Sequence, residues 1–289
     1  MNRLLFVFLL TAFINLINTL TRSSRLSGVR TKHLATAISL FSVVYLAASF
    51  ANTLQAPLLA STVESAIEGA YNQSLLISPG NATESSLYQA TLVELSRKLR
   101  FVILGATLGT VVGMFAIPSF VTSFSNAIKS FGQTGSVFKV IYLFFISMFK
   151  PGNGILRFRM SSRDTLKELL TRKMSIPKGF LYWNLASYSL WTANVLSGLY
   201  AGALYPEFRS TAVLMASIVG NAAIIVNVMM VDPILAKVTD DVARGVRDEI
   251  ELKQIVFFLA ISNLLGTLLS QAVFEPIAWF LQLLTRWIV

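Results

Sequence analysis

Six long apolar runs, each near the length needed to cross a lipid bilayer, constrain this chain more than any other feature. A hydrocarbon core about 30 Å thick requires roughly 20 mostly apolar residues of helix. Residues 4–20, 34–55, 101–124, 179–204, 211–231 and 254–284 supply such runs. Only 13% of the 289 residues are charged and 54% are hydrophobic, whereas a soluble domain carries about 25% charge. A water-soluble globular fold is thereby excluded. The expected fold is all-α, a single polytopic transmembrane helical domain of about six spans with short extramembrane helices. The last run is over-long and is expected to break at Pro276. A seventh run, Val137 to Phe149, is short and holds Lys139, which suits an interfacial or re-entrant helix better than a span. The first run lacks a small-residue cleavage site and carries Asn15 and Asn18, so it reads as a retained helix rather than a cleavable signal.

Charge sets the direction. Lys and Arg exceed Asp and Glu by 24 to 14, an excess that in a soluble protein points to nucleic acid but in a membrane protein first reports topology. With six spans, residues 21–33, 125–178 and 232–253 fall on one side and hold 18 of the 24 basic residues. The expected topology therefore has both termini outside the cytoplasm and no nucleic-acid partner. Residues 56–100 become an extracytoplasmic helical cap, with a helical pattern from Ser85 running into the third span. Residues 125–178 become a basic cytoplasmic segment with interfacial helices. Within it, Ser161 and Asp164 read as a capping box opening an amphipathic helix whose Leu166, Leu169 and Leu170 share one face. The acids and bases from Asp232 to Lys253 read as a solvated helix with intrahelical ion pairs.

The chemistry left to such a chain is narrow. There is no cysteine and one histidine, His33, so disulfides, thiolate nucleophiles and Cys/His metal sites are excluded and no cofactor or metal is expected. No Gly-rich loop ending in Lys-Ser/Thr is present to wrap phosphates, which excludes ATP-driven transport within this chain. Gly105, Gly109 and Gly113, and again Gly198 and Gly202, recur at four-residue intervals and permit close helix approach, either within one subunit or between the subunits of a homo-oligomer.

Amides inside the spans are more telling, because a lipid-facing amide is costly. Asn15 with Asn18 and Asn52 with Gln55 each share a helical face, and both pairs are expected to line one groove; Asn221 and Asn227 are further candidates for a polar pathway. Interhelical hydrogen bonding is the alternative role for all of them. Arg22, Arg25, Arg30 and Lys32 crowd a short connection between the first two spans. They serve either as a positive-inside anchor or as forks for phosphate oxygens. Arg97, Lys98 and Arg100 run against the positive-inside trend and are candidates to receive an anion on the outer side, or to anchor the third span by snorkelling. Asp232 and Glu275 each precede a proline near a span end and are candidate coupling carboxylates, with capping or interfacial hydration as the alternative.

The stretch from Phe13 to Leu59, above all Arg22 to His33 with Gly28-Val29-Arg30-Thr31-Lys32 and the segment Asn52 to Pro57, resembles the bacterial Amj family of alternate lipid II flippases. A second likeness is Val231-Asp232-Pro233 followed by Thr239-Asp240-Asp241. The resemblance implies movement of lipid II, a polyprenyl diphosphate carrying a disaccharide-pentapeptide, from the inner to the outer leaflet of the cytoplasmic membrane, with no bond made or broken. For such a cargo, the expectation from the residues themselves is that Arg22, Arg25, Arg30 and Lys32 capture the diphosphate and that the amide faces hydrate the passing headgroup. Arg97, Lys98 and Arg100 would then favour its release. Two other classes compete. A polyprenyl-phosphate enzyme would need clustered acids, and only Asp240-Asp241 are adjacent, pointing about 100° apart on a helix. A scaffold for envelope synthesis would bind a protein partner through residues 150–178.

Overall fold

The computed structural model describes residues 3–77, 82–135, 163–172 and 178–289. The run Val137 to Phe149 and the capping residue Ser161 lie outside them. Among the described residues every regular element is helical: α1 (Arg3–Leu20), α2 (Ser23–Thr31), α3 (Leu34–Ile77), α4 (Ser86–Thr134), α5 (Arg163–Thr171), α6 (Gly179–Leu204), α7 (Arg209–Val226), α8 (Asp232–Ala243) and α9 (Glu249–Ile288). Five stretches are long and apolar enough to cross a membrane: Arg3–Thr31, Leu34–Leu76, Ser86–Gly132, Pro206–Ala243 and Glu249–Ile288. The remaining expected span coincides with α6, whose 26 residues are long enough but include Asn184, Asn194 and several serines. It packs between α7 and α9.

Three helices differ from the runs read in the sequence. At 1.5 Å per residue, α3, α4 and α9 extend about 66, 74 and 60 Å, roughly twice the hydrocarbon thickness. The segment 56–100 is accordingly built largely from the far ends of α3 and α4, with a 3-10 turn at Ala82–Glu84 just before α4. Val63, Ile67, Tyr88 and Leu92 are buried between them. Ser85 caps α4 by accepting from the Tyr88 amide at 3.1 Å, and the Tyr88 hydroxyl donates to the Ala203 carbonyl at the end of α6. Helix α9 does not break at Pro276, and α3 and α4 likewise run through Pro57 and Pro118. A proline removes one internal hydrogen bond, and close neighbours hold the helix through it. The connection 21–33 is itself helical. Ser23, Ser24, Leu26, Ser27 and Gly28 of α2 are buried, and the turn into α3 closes at Lys32 with a positive φ of 59°.

The glycine stripes are packing seams inside one chain. A Cβ on Gly105 or Gly109 would strike the backbone carbonyl of Phe8 or Ala12, so α4 lies backbone to backbone on α1; on Gly198 of α6 it would strike the Ala216 Cβ of α7. Such close approach without side chains is how helices gain contact where no hydrophobic force drives them together.

Buried side chains fall into two apolar clusters. One gathers Leu20, Phe41, Phe120, Phe124, Leu235 and Leu252. The other gathers Val7, Val63, Leu99, Tyr200, Phe274 and Leu281. Between them, midway along the helices, the interior turns polar: Thr11, Asn15, Gln55, Thr110, Asn184 and Asn263 are all buried.

A polar belt between two apolar cores

The belt begins at Arg22, in the turn between α1 and α2. Its guanidinium donates from Nη1 to Asn184 Oδ1 of α6 at 2.5 Å and from Nη2 to Asn227 Oδ1 at 2.7 Å. Asn184 cannot swing away freely, because its own Nδ2 donates to Asn263 Oδ1 of α9 at 2.8 Å. Asn227 is placed by an unusual element: residues Asn227–Val231 form a π-helical turn linking α7 to α8. Such turns are rare and cluster at functional sites. No pattern in the sequence signals it. Two charges act on Arg22, an attraction from Asp232 at the start of α8 and a repulsion from Arg25. The guanidinium thus has two neutral acceptors and one nearby carboxylate outside contact range, an incompletely compensated cation at the edge of a buried layer.

Of the other basic candidates in this cluster, Arg25 is half-buried and forms no ion pair among the described residues, whereas Arg30 is bound to Glu249 of α9 at 2.9 Å. Lys32 is exposed at the left-handed turn. The structure therefore places Arg22 at the belt's margin, leaves Arg25 without an ion pair among the described residues and ties Arg30 to α9.

Deeper in the belt, Tyr188 joins α6 to α1. The Tyr188 hydroxyl of α6 donates to Asn15 Oδ1 at 3.1 Å, while Asn15 Nδ2 donates to the Thr11 carbonyl at 2.9 Å. Gln55 of α3 reaches across and donates to Thr11 Oγ1 at 2.6 Å. Beside these groups opens a cleft of about 130 Å³, bounded by Thr11, Asn15, Asn52, Gln55, Trp191 and Asn194 among others. Asn15, Asn52 and Gln55 thus meet, as their helical faces suggested. Asn18 and Asn221 do not line this cleft, Asn221 lying exposed on α7, and Asn227 serves Arg22 instead. Trp191 was not among the candidates read from the sequence. Only the fold brings α6 against α1 and α3.

At the far margin, two candidates assigned to different roles meet each other. Arg100 of α4 pairs with Glu275 of α9 at 3.0 Å. Ser96 donates to the same carboxylate at 2.6 Å, the guanidinium also reaches the Gln271 carbonyl, and it lies 5.6 Å over the Phe274 ring. Lys98 pairs with Glu94 one turn away, and Arg97 is exposed. Asp232, the other carboxylate candidate, begins α8 at its first turn, where an acid complements the helix amides.

Together these features define an all-α polytopic membrane protein whose helices enclose a polar belt with a basic residue at each edge. The family follows from comparison. The Amj family, described as alternate to MurJ, matches residues 10–285, and the chain belongs to it. The chain is also 34% identical over 287 residues to a Bacillus subtilis (strain 168) protein named lipid II flippase Amj, covering 99% of this chain and 97% of that relative. No solved structure matches the chain.

Proposed function

We propose that this protein is a lipid II flippase, carrying the diphosphate-linked precursor from the inner to the outer leaflet of the bacterial cytoplasmic membrane. The observation that carries this reading is the 34% identity, across nearly the full length of both chains, to the protein named lipid II flippase Amj. The process makes and breaks no covalent bond, and both termini face away from the cytoplasm. The physical obstacle is moving a diphosphate and sugars through hydrocarbon, since the isoprenoid tail can stay in lipid throughout.

The belt supports such a path. In this reading Arg22 and Arg25 take the diphosphate at the cytoplasmic margin, where a planar guanidinium matches phosphate oxygens. Arg30 and Lys32 add positive field nearby. The amides of Asn15, Asn52 and Gln55 replace water around the headgroup, and Arg100, with Arg97 and Lys98, meets it at the outer margin once Glu275 yields. Transport must leave binding weak enough for release. Purified protein in liposomes, assayed with fluorescent lipid II beside fluorescent phosphatidylcholine, with and without pH and voltage gradients, tests this. Selective movement of lipid II is expected. Equal movement of both lipids, or none under any gradient from folded protein, rejects it.

A further inference from the structure

The cleft beside Asn15 and Gln55 differs in chemistry from both margins of the belt. Its named polar groups, Thr11, Asn15, Asn52, Gln55 and Asn194, are all neutral, and among the described residues no Lys, Arg, His, Asp or Glu lines it. That composition suits an anion poorly, because nothing there would balance a phosphate charge. An isoprenoid tail fits no better. Asn52 is exposed and makes no side-chain hydrogen bond among the described residues, and Gln55 spends its amide nitrogen on Thr11 while its oxygen accepts from no described donor. Amide groups left open at membrane depth require water or a polar ligand to satisfy them.

Open amides presenting donors and acceptors side by side fit the neighbouring hydroxyls of a sugar ring, each of which both donates and accepts. An aromatic wall is also present. Trp191, half-buried beside Tyr188 with ring centroids 6.3 Å apart, borders the same cleft. An indole offers an apolar face to the C–H side of a pyranose. Few convergent polar groups beside an aromatic surface in a concave site is the general form of a small-molecule pocket.

We infer that this cleft is a saccharide site, taking a neutral, hydroxyl-bearing pyranose with Trp191 against the ring and Asn52 and Gln55 on its hydroxyls. The inference rests on the flippase reading only for the source of the sugar. It divides the headgroup between two places: the phosphates at the arginine margin and a sugar in the amide cleft, with Tyr188 between them.

The absence of native cysteine allows a direct test. Ala56, exposed on the cleft wall, is changed to cysteine, and the purified protein in nanodiscs is modified with a small neutral thiol reagent. The probe is N,N′-diacetylchitobiose at about 50 mM, well above the roughly millimolar dissociation constant of a site held by a few hydrogen bonds. Sorbitol and inorganic pyrophosphate serve as controls. The disaccharide is expected to slow modification at least about fivefold, and the controls less than about twofold. Trp191→Ala should abolish the protection and Trp191→Phe restore most of it, the unprotected rate staying unchanged in both. Val195→Cys, on the same wall, replaces the reporter if Ala56→Cys does not fold. An unreactive cysteine, no slowing by the disaccharide, equal slowing by pyrophosphate, or protection that survives Trp191→Ala each overturns the inference. Lipid II transport is measured in the same preparations. Transport without protection rejects the saccharide site alone, and protection without transport rejects the flippase reading alone.

Discussion

Arg100 on α4 and Glu275 on α9 form an ion pair at 3.0 Å, although the sequence assigns one to anion release and the other to coupling. The pair is partly buried and shares its carboxylate with Ser96, so each member neutralises a charge that would otherwise sit uncompensated beside Phe274. Removing either partner leaves the other unpaired, which costs more than removing both. Thermal unfolding of purified Arg100→Gln, Glu275→Gln and the double variant should therefore give a coupling energy of about 1–2 kcal/mol. Strictly additive losses would mean that the two groups do not interact in the folded protein.

At the opposite margin, Arg22 bridges two helices through a fork, with Nη1 on Asn184 and Nη2 on Asn227. Lysine keeps the charge but offers a single point donor and cannot span two amides 43 residues apart in sequence. Both Arg22→Lys and Arg22→Gln should reduce lipid II transport at least about tenfold at equal protein level. If Arg22→Lys transports as well as the parent, charge alone suffices there and the fork has no role. Asn227→Ala should weaken transport less, because Asn184 remains fixed through Asn263.

These two margins show what the sequence can and cannot reveal. Apolar run length locates the helices because hydrocarbon thickness is a fixed ruler, and shared faces bring Asn15, Asn52 and Gln55 to one cleft. Partnerships across the fold escape such reading. Arg30 meets Glu249 over 219 residues, and nothing local in either segment marks the other. The π-helical turn at Asn227–Val231 leaves no periodicity to detect in five residues. The end of a span is equally hard to place, since α3 and α4 continue as helix into segments whose polarity reads as a separate cap. Hydropathy reports where lipid would be tolerated, and helix continuity follows instead from propensity and from packing between the two helices.

The glycine seam gives the sharpest stability contrast. At Gly109 an added Cβ would overlap the backbone of Ala12, while at Gly69 on α3 nothing lies within 4 Å. Backbone on both sides of the contact cannot rotate away, so the whole α1–α4 interface must part. Gly109→Val should destabilise the protein by more than about 3 kcal/mol or leave no folded product on size-exclusion chromatography. Gly69→Ala should stabilise α3 by about 0.5–1 kcal/mol by restricting the unfolded chain. Equal tolerance at both sites would show that α1 and α4 do not touch at Gly109.

The short helix α5 supplies a last case, in which one neutral side chain holds an amphipathic segment in place. Gln254 of α9 is buried, and its Nε2 donates to the carbonyls of Leu169 and Arg172 at 2.9 and 2.7 Å, satisfying acceptors that the end of α5 leaves open. Leu169 is buried beneath the same turn, whereas Leu170 faces outward, so only part of the leucine face read from the sequence packs on the protein. Arg172 adds a contact to Asp248 at 2.7 Å, a hydrogen bond that raises its guanidinium above the ordinary value. That ion pair is exposed and contributes little once solvent screens it, which leaves Gln254 as the principal tie. Limited trypsin digestion should therefore cleave after Arg172 several-fold faster in Gln254→Leu than in the parent, and only slightly faster in Asp248→Asn. The reverse order would place the hold in the ion pair rather than in the amide.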